Sequence, residues 1–578
     1  MTEQHLSHEG QPHESGHENQ PTKLLNHVGV AIVLILIFYG VLLGLGLPQK
    51  WTELSNETFS VSEKYDEETD YTSEEDGEHH GEDAHEHAAD HHGDGHHYPP
   101  MFMIIPFAVL LLIIAFFPLI PATAHWWENN TRKFYIATSL GVLALLYYFF
   151  LCDFPVHQHW PGDSVVDPLK DGQFAIAKAI FINAIIYEFL PFIVLLFALF
   201  SITGGIRITS SLKATPIVNT MILGLGTLLA SFIGTTGAAM LLIRPLLDMN
   251  RERENKVHTF VFFIFCICNC GGVLTPLGDP PLFLGYLRGV AFEWPFFVLW
   301  QEWSFMNGIL LLIYFCGDHF LAYPGETQQY RLKKDDTTQQ LFTVSGWQLN
   351  GLLLLGVIAA VACLDPGRKV PGTNWHPWFY LREAIQLALA SVSLFFSSRV
   401  IRKDNVFNFI AIGEVAALFF GIFLCMQAPL QILNAEGKTM VTKIQDLTHV
   451  KEEKLFFWST ATLSTALDNA PTYLVFFEAA KTMTPKTDEE RKEWQKRVGR
   501  GFDGVPIRGG YIDEKLLIAV TLGTIFTGAV TYIANAPNFL VKTIAEQDGV
   551  KMPSFFGFMV YSFLIVVPLM ITVTLVFL

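Results

Sequence analysis

Two apolar stretches carry oxygen-bearing side chains between glycine and proline breaks: GVLTPLGDPPLFL, from Gly272 to Leu284, and GAVTYIANAPNFL, from Gly528 to Leu540. Aligned, Gly272, Thr275, Pro281, Phe283 and Leu284 fall on Gly528, Thr531, Pro537, Phe539 and Leu540, and Asp279 falls on Asn535. Glycines 271 and 272 bring no side chains, while Pro276, Pro280 and Pro281 lack backbone donors and interrupt a helix. An interrupted helix frees carbonyls. Together with the Thr275 hydroxyl and the Asp279 carboxylate, these make a set of hard oxygen ligands suited to Na⁺. The second break offers Thr531, Asn535 and Asn538, a neutral set, because an amide does not titrate.

Two further strings carry polar tips. LDNAP places Asp468 and Asn469 between Leu467 and Pro471, and GTTGAAMLLIRP offers the hydroxyls of Thr235 and Thr236. A carboxyl removed from water holds a proton more readily. Asp468 can therefore alternate between a protonated and a cation-bound form, the minimum needed to exchange Na⁺ against H⁺. The competing account is an aspartate that caps a half-helix. Arg244 reads as an interfacial anchor. Glu188 and Glu414 are the most embedded of the remaining acids, and read either as proton-path groups or as ion-pair partners inside the bundle.

Matching Gly/Pro breaks in the two halves of a membrane protein point to a transport site near the midplane, so the elements that hold these residues must be membrane spans. The chain has 578 residues, 51% hydrophobic and 16% charged, with 49 Phe. Its apolar runs approach the ~20 residues that cross a bilayer, and the expectation is an all-α polytopic membrane protein of about 11 spans. Two inverted repeats are expected, each with a re-entrant hairpin and a broken helix, since non-helical backbone at membrane depth must sit inside protein or beside a water-filled cavity.

A polar tail (1–27) leads to a first span (28–47) and an acidic, His-rich loop (48–99) too polar to order itself. The first half, 100–343, holds a hairpin at 215–247 and a broken helix at 257–290. The second, 344–578, holds a hairpin at 455–480, a polar surface insertion at 481–514 and a broken helix at 515–545. The first apolar run follows a long polar segment with only Lys23, which argues for a retained span rather than a cleaved signal.

The formal charge of −17 resides in residues 1–99, which hold 20 acids and 3 bases; the rest of the chain holds 35 of each. No basic cluster suggests nucleic acid. The eight histidines of the loop, His79, His80, His85, His87, His91, His92, His96 and His97, suit loose Zn²⁺ or Ni²⁺ binding, pH sensing, or a plain solvated tail. Cys266, Cys268 and Cys270 alternate, which on a helix turns them about 200° apart; buried free thiols are expected. Basic loops place the N-terminus inside and the His-rich loop outside, although the basic residues of 481–514 then fall on the wrong side.

The blocks GTTGAAMLLIRPLL, NCGGVLTPLGDPPLFLG, LDNAPTYLVFFEA and GAVTYIANAPNFLVK together resemble the signatures of NhaD-type sodium/proton antiporters, within the ion-transporter superfamily that also holds citrate transporters and divalent-anion/sodium symporters. The likeness covers roughly residues 170–578. It implies a homodimer in the cell (inner) membrane, with a scaffold part and a mobile transport part working by elevator-like alternating access. Sodium or lithium ions and protons would be carried, with no cofactor and no enzymatic step. In the anion-carrying relatives both tips bear a Ser-Asn-Thr string that binds a carboxylate. The corresponding strings are Gly234-Thr235-Thr236 and Asp468-Asn469-Ala470, where an aspartate stands in place of serine, a departure that disfavours a dicarboxylate and favours a cation. The rival expectation is a sodium- or proton-coupled citrate or dicarboxylate transporter of the same fold.

Overall fold

The computed structural model describes residues 20–53, 98–160, 162, 164–210, 212–326, 342–485 and 487–578. The eight loop histidines lie outside the described residues. Helices dominate, as an apolar chain in lipid requires, because a helix satisfies its own backbone. Five are long and apolar enough to cross a membrane: Asn130–Phe150, Gln173–Thr203, Pro216–Ile233, Trp300–Gly325 and Phe555–Val576. Counting each of three bent helix pairs as one span brings the number among the described residues to eight. Other apolar stretches, such as Val257–Val273 and Trp347–Cys363, are too short to count by length.

Eight helices build a two-repeat core. In the first repeat α1 (Pro216–Ile233) and α2 (Thr235–Met249) meet at Gly234, and α3 (Val257–Cys266) is separated by an irregular segment from α4 (Pro280–Leu287). In the second, α5 (Glu452–Ala466) and α6 (Asn469–Met483) meet at Leu467-Asp468, and α7 (Glu514–Thr527) is separated from α8 (Ala536–Gln547). Glycine permits the close approaches this needs: a Cβ on Gly523 of α7 would lie 2.6 Å from the Phe457 carbonyl of α5. In the first break a Cβ on Gly278 would overlap the backbone of Gly272, so the chain can fold back on itself only without side chains there.

Around the core, the span Gln173–Thr203 contains a π-helical segment, Ile182–Phe189, that carries Tyr187 and Glu188. Among the described residues, three antiparallel ribbons depart from a purely helical plan: β1 (Val156–Gln158) with β2 (Ser164–Val166), β3 (Arg207–Thr209) with β4 (Thr343–Ser345), and β5 (Gly504–Ile507) with β6 (Gly510–Asp513). The last ribbon belongs to the 481–514 insertion, which is not a plain surface loop. It holds a helix, Asp488–Val498, capped by the Thr487 hydroxyl, and then the hairpin. Several of its basic residues are locally paired: Arg497 with Glu452 at 2.9 Å, and Arg500 with Glu453 at 3.1 Å and Asp513 at 2.5 Å. Burial works against the Arg500 charge, but Asp513 and Glu453 outweigh it and raise the guanidinium pKa. Charges neutralised in this way weigh less in the Lys/Arg bias.

Candidate ion-binding site

Each break is tied to its hairpin by the same pair of bonds. The Thr235 N–H donates to the Gly278 carbonyl at 2.8 Å, and the Asn469 N–H to the Ala534 carbonyl at 3.2 Å. The Thr275 hydroxyl donates to the Ser231 carbonyl, and the Thr531 hydroxyl to the Thr465 carbonyl at 2.9 Å. Thr235 matches Asn469, Ser231 matches Thr465, and Gly278 matches Ala534, so the repeat read from the sequence is a repeat of hydrogen bonds as well. Thr275 and Thr531, expected to be ligands, spend their protons as staples between break and hairpin.

Asp279 and Asn535 occupy the N-cap positions of α4 and α8 in extended conformation, each followed by proline within the first two helical positions, and neither side chain caps its own helix. Both turn inward instead. Asp279, 1% exposed, receives three donors. The Thr235 hydroxyl reaches Oδ1 at 3.1 Å, the Asn535 amide reaches Oδ1 at 3.1 Å, and the Asn469 amide reaches Oδ2 at 3.2 Å. One donor comes from its own repeat and two from the other. The site exists only because the two repeats interlock.

Four half-helix N-termini meet at this point: Thr235 and Asn469 open α2 and α6, and Asp279 and Asn535 precede α4 and α8. Their partial positive charges favour an anion, and the Asp279 carboxylate is the anion already in place. Among the described residues no basic side chain pairs with it. A carboxylate buried among neutral donors is a costly arrangement in a membrane, and such groups are functional by default.

Asp468 behaves differently. It is half-buried, and its Oδ1 accepts from the Ala470 N–H at 3.1 Å, capping α6. It also stands within electrostatic reach of Asp279. The matching position in the first tip is Gly234, at φ +82°, where any side chain would be strained; the second acid therefore has no counterpart. Cap and charge can be separated by substitution. Asp468→Asn keeps an oxygen for the Ala470 N–H and removes the charge, whereas Asp468→Ala removes both and costs about 1 kcal/mol more in helix stability. Thermal melts should show the loss only for alanine, while any transport that uses the Asp468 charge should fall strongly in both. Wild-type transport in Asp468→Asn would leave this side chain a cap and nothing more. Thr236, half-buried, makes no side-chain hydrogen bond among the described residues and follows Thr235 at the first tip.

Asn269, Trp303 and Asn307 were not named from sequence. Asn269, fully buried, donates to the Ile264 carbonyl and to Asn538 Oδ1, both at 2.8 Å, and its own Oδ1 accepts from the Asn535 amide at 3.1 Å. Asn538 in turn donates to the freed carbonyls of Gly528 at 2.7 Å and Thr531 at 2.8 Å. A continuous chain of amides thus runs from the second break through Asn269 to Asp279. Freed carbonyls of the first break are met by Trp303 Nε1 at Gly271 (3.1 Å) and Asn307 at Cys270 (3.0 Å). The available signal was an asparagine inside an otherwise apolar run, in NCGG. Cys266, Cys268 and Cys270 are buried free thiols, and among the described residues no cluster of His, Cys, Asp or Glu could hold a metal.

Glu188 and Glu414 lie away from this cluster, and both are ion-paired. Glu414 meets Lys133 at 2.5 Å between the helices Ile410–Cys425 and Asn130–Phe150. Glu188 meets Arg288 at 3.0 Å, just past the far end of α4. Arg244 lines a polar cavity with Arg207, Asp248, Asp404 and Asp548.

Residues 165–578 match the family described as "Putative citrate transport". The chain belongs to this family. The match takes in both hairpins and both breaks and leaves out the first span and the acidic loop. No curated protein matches the chain significantly. Membership in this citrate-transport family, part of the ion-transporter superfamily, together with the apolar helices, makes the protein a multi-pass membrane transport protein.

Proposed function

We propose that this member of the citrate-transport family is a Na⁺(Li⁺)/H⁺ antiporter of the inner membrane, working by alternating access as a homodimer. The observation that carries the reading is the Asp279 carboxylate, held at the crossing of the two repeats by Thr235, Asn469 and Asn535 with no basic partner among the described residues. Its charge is left for a proton or an alkali cation to neutralise. Each excludes the other, because both need the same oxygens, and exclusive occupancy of one seat is what couples two opposed fluxes. Carboxylate, hydroxyl and amide oxygens form the donor set that hard cations prefer. Asp468 at the neighbouring tip adds a second negative charge in reach.

Citrate or a dicarboxylate is the second reading. The family description and the four converging helix N-termini favour it, since such ends bind anionic groups in transporters. Against it stands the fixed carboxylate: at 4 Å and an effective dielectric near 20, each like-charge pair costs about 4 kcal/mol.

The two readings separate in one experiment. In everted vesicles holding an acid interior, adding NaCl should dequench a pH-sensitive dye, and LiCl should do the same. In purified protein, citrate with or without Na⁺ should leave the melting temperature unchanged. Saturable stabilisation by citrate together with a silent dye would replace the antiporter with the anion carrier.

A further inference from the structure

At its other end α4 enters a second buried polar cluster, distinct from the Asp279 site. Arg288, the residue after α4, is shared between two acids: Glu478 of α6, and Glu188 of the π-helical segment at 3.0 Å. The Arg288 carbonyl accepts from the Arg508 N–H at 2.8 Å, which docks the tip of the β5–β6 hairpin on the end of α4. Gly289 makes room for this contact, because a Cβ there would lie 2.6 Å from the Arg508 nitrogen. The Arg508 side chain then reaches outward to the Tyr187 hydroxyl and to Asp365 at 3.2 Å.

The partners fall into two groups. Arg288, Glu478 and Arg508 sit on the two-repeat core and its inserted hairpin. Glu188, Tyr187 and Asp365 sit on the π segment and on the loop after Trp347–Cys363, outside the core. Two charge pairs, Arg288–Glu188 and Arg508–Asp365, therefore cross between core and surroundings. The acid left behind in the first keeps a substitute: the Gln427 amide lies 3.3 Å from Glu188 Oε2. Arg288 for its part keeps Glu478. Breaking a buried pair is costly when it strands a charge; here each member of Arg288–Glu188 keeps a hydrogen-bonding partner, which lessens that cost. Such a bond can open.

We propose that Arg288 and Arg508 form a releasable latch between the core and the Glu188–Asp365 side, with the β5–β6 hairpin as its strap. Asp279 precedes α4 and Arg288 follows its end, about 14 Å away along the eight-residue helix. The buried ion seat cannot travel or open without α4, so the latch sets how often the seat is exposed. This rests on the proposal that the core moves during transport, and not on which ion is carried.

Hydrogen exchange of backbone amides in 282–289, measured on the full chain in detergent or nanodiscs, tests it without any substrate. The shape-preserving Asp365→Asn should speed exchange there about tenfold, the effect of losing one charge-assisted hydrogen bond, and Arg508→Ala, which also loses the Tyr187 hydroxyl, should speed it at least as much. The double variant should do no more than Arg508→Ala alone, and the helix Asn130–Phe150 should stay unchanged. Unaltered exchange in 282–289, or equal acceleration in both segments, overturns the latch. Exchange that responds as expected beside a dye that ignores NaCl would instead sink the antiport reading and leave the latch standing.

Discussion

Asp279→Asn should reduce NaCl-driven proton movement by at least about a hundredfold while leaving the protein folded, because it removes the charge of an intramembrane carboxylate and almost none of its volume. The asparagine oxygen can still accept from the Thr235 hydroxyl and the Asn535 amide, which now share Oδ1 at 3.1 Å each. What goes is the second acceptor, which faces the Asn469 amide at 3.2 Å, and with it the negative charge. Losing one hydrogen bond to a charged group costs about 1.5–3 kcal/mol, and removing a buried charge offsets part of it, which leaves too little to unfold a helical bundle of this size. Losing the charge leaves nothing for a proton to titrate and nothing to repay an alkali ion for its water. Dye dequenching in everted vesicles, with expression and melting temperature as controls, reads both effects. A variant that transports as well as wild type would move the coupling site away from Asp279, and the reading built on it would fail.

The repeat itself was legible in sequence because its markers are chemical necessities. Gly272 and Gly528, and Pro281 and Pro537, occur where a helix must break, and they fix the frame that pairs Asp279 with Asn535. That frame led to Asp279 and Asn535, and the polar tips of the hairpins led to Thr235 and Asn469; the four converge within hydrogen-bonding distance. Less legible was the use to which each hydroxyl is put. Thr275 and Thr531 occupy equivalent positions in the two breaks, yet a sequence shows neither which way a side chain turns in irregular backbone nor that a carbonyl from the hairpin stands ready to receive it. Asn269 escaped because it lies outside the matched frame: it has no counterpart in the second repeat and acts by reaching across to Asn535 and Asn538.

The same limit applies at larger scale. The 481–514 insertion reads as surface from its polarity, and much of it is exposed, but only the fold brings Arg508 at its hairpin tip to Tyr187 and Asp365. The helix Gln427–Thr448, polar in its second half, packs against α6. Periodicity reports which side of an element is apolar; it does not report what a polar side has found to bind.

The asymmetry between Asp279 and Asn535 yields the other large effect. Asn535→Asp would make the two breaks equal and bring a second carboxylate to about 3.1 Å from the first. At that distance and an effective dielectric near 20, two negative charges repel by about 5 kcal/mol, so the pair cannot be doubly ionised without a cation between them. One proton is then shared, as in any carboxylate dyad, and the titration belongs to the pair. The sign follows from what transport requires. The shared proton must leave before an alkali ion can sit, and it leaves only at higher pH. The pH profile of NaCl-driven dequenching should therefore move to the alkaline side by at least about one pH unit, with activity near neutrality falling about tenfold. Once the proton has gone, the doubled charge should hold the cation more tightly, and the half-saturating Na⁺ concentration at alkaline pH should drop. An anion carrier would respond in the opposite way, losing its substrate at every pH as a second negative charge enters the site. An unchanged pH profile would mean that Asn535 does not share the ion seat with Asp279, and that the hydrogen bond joining the repeats serves the fold alone.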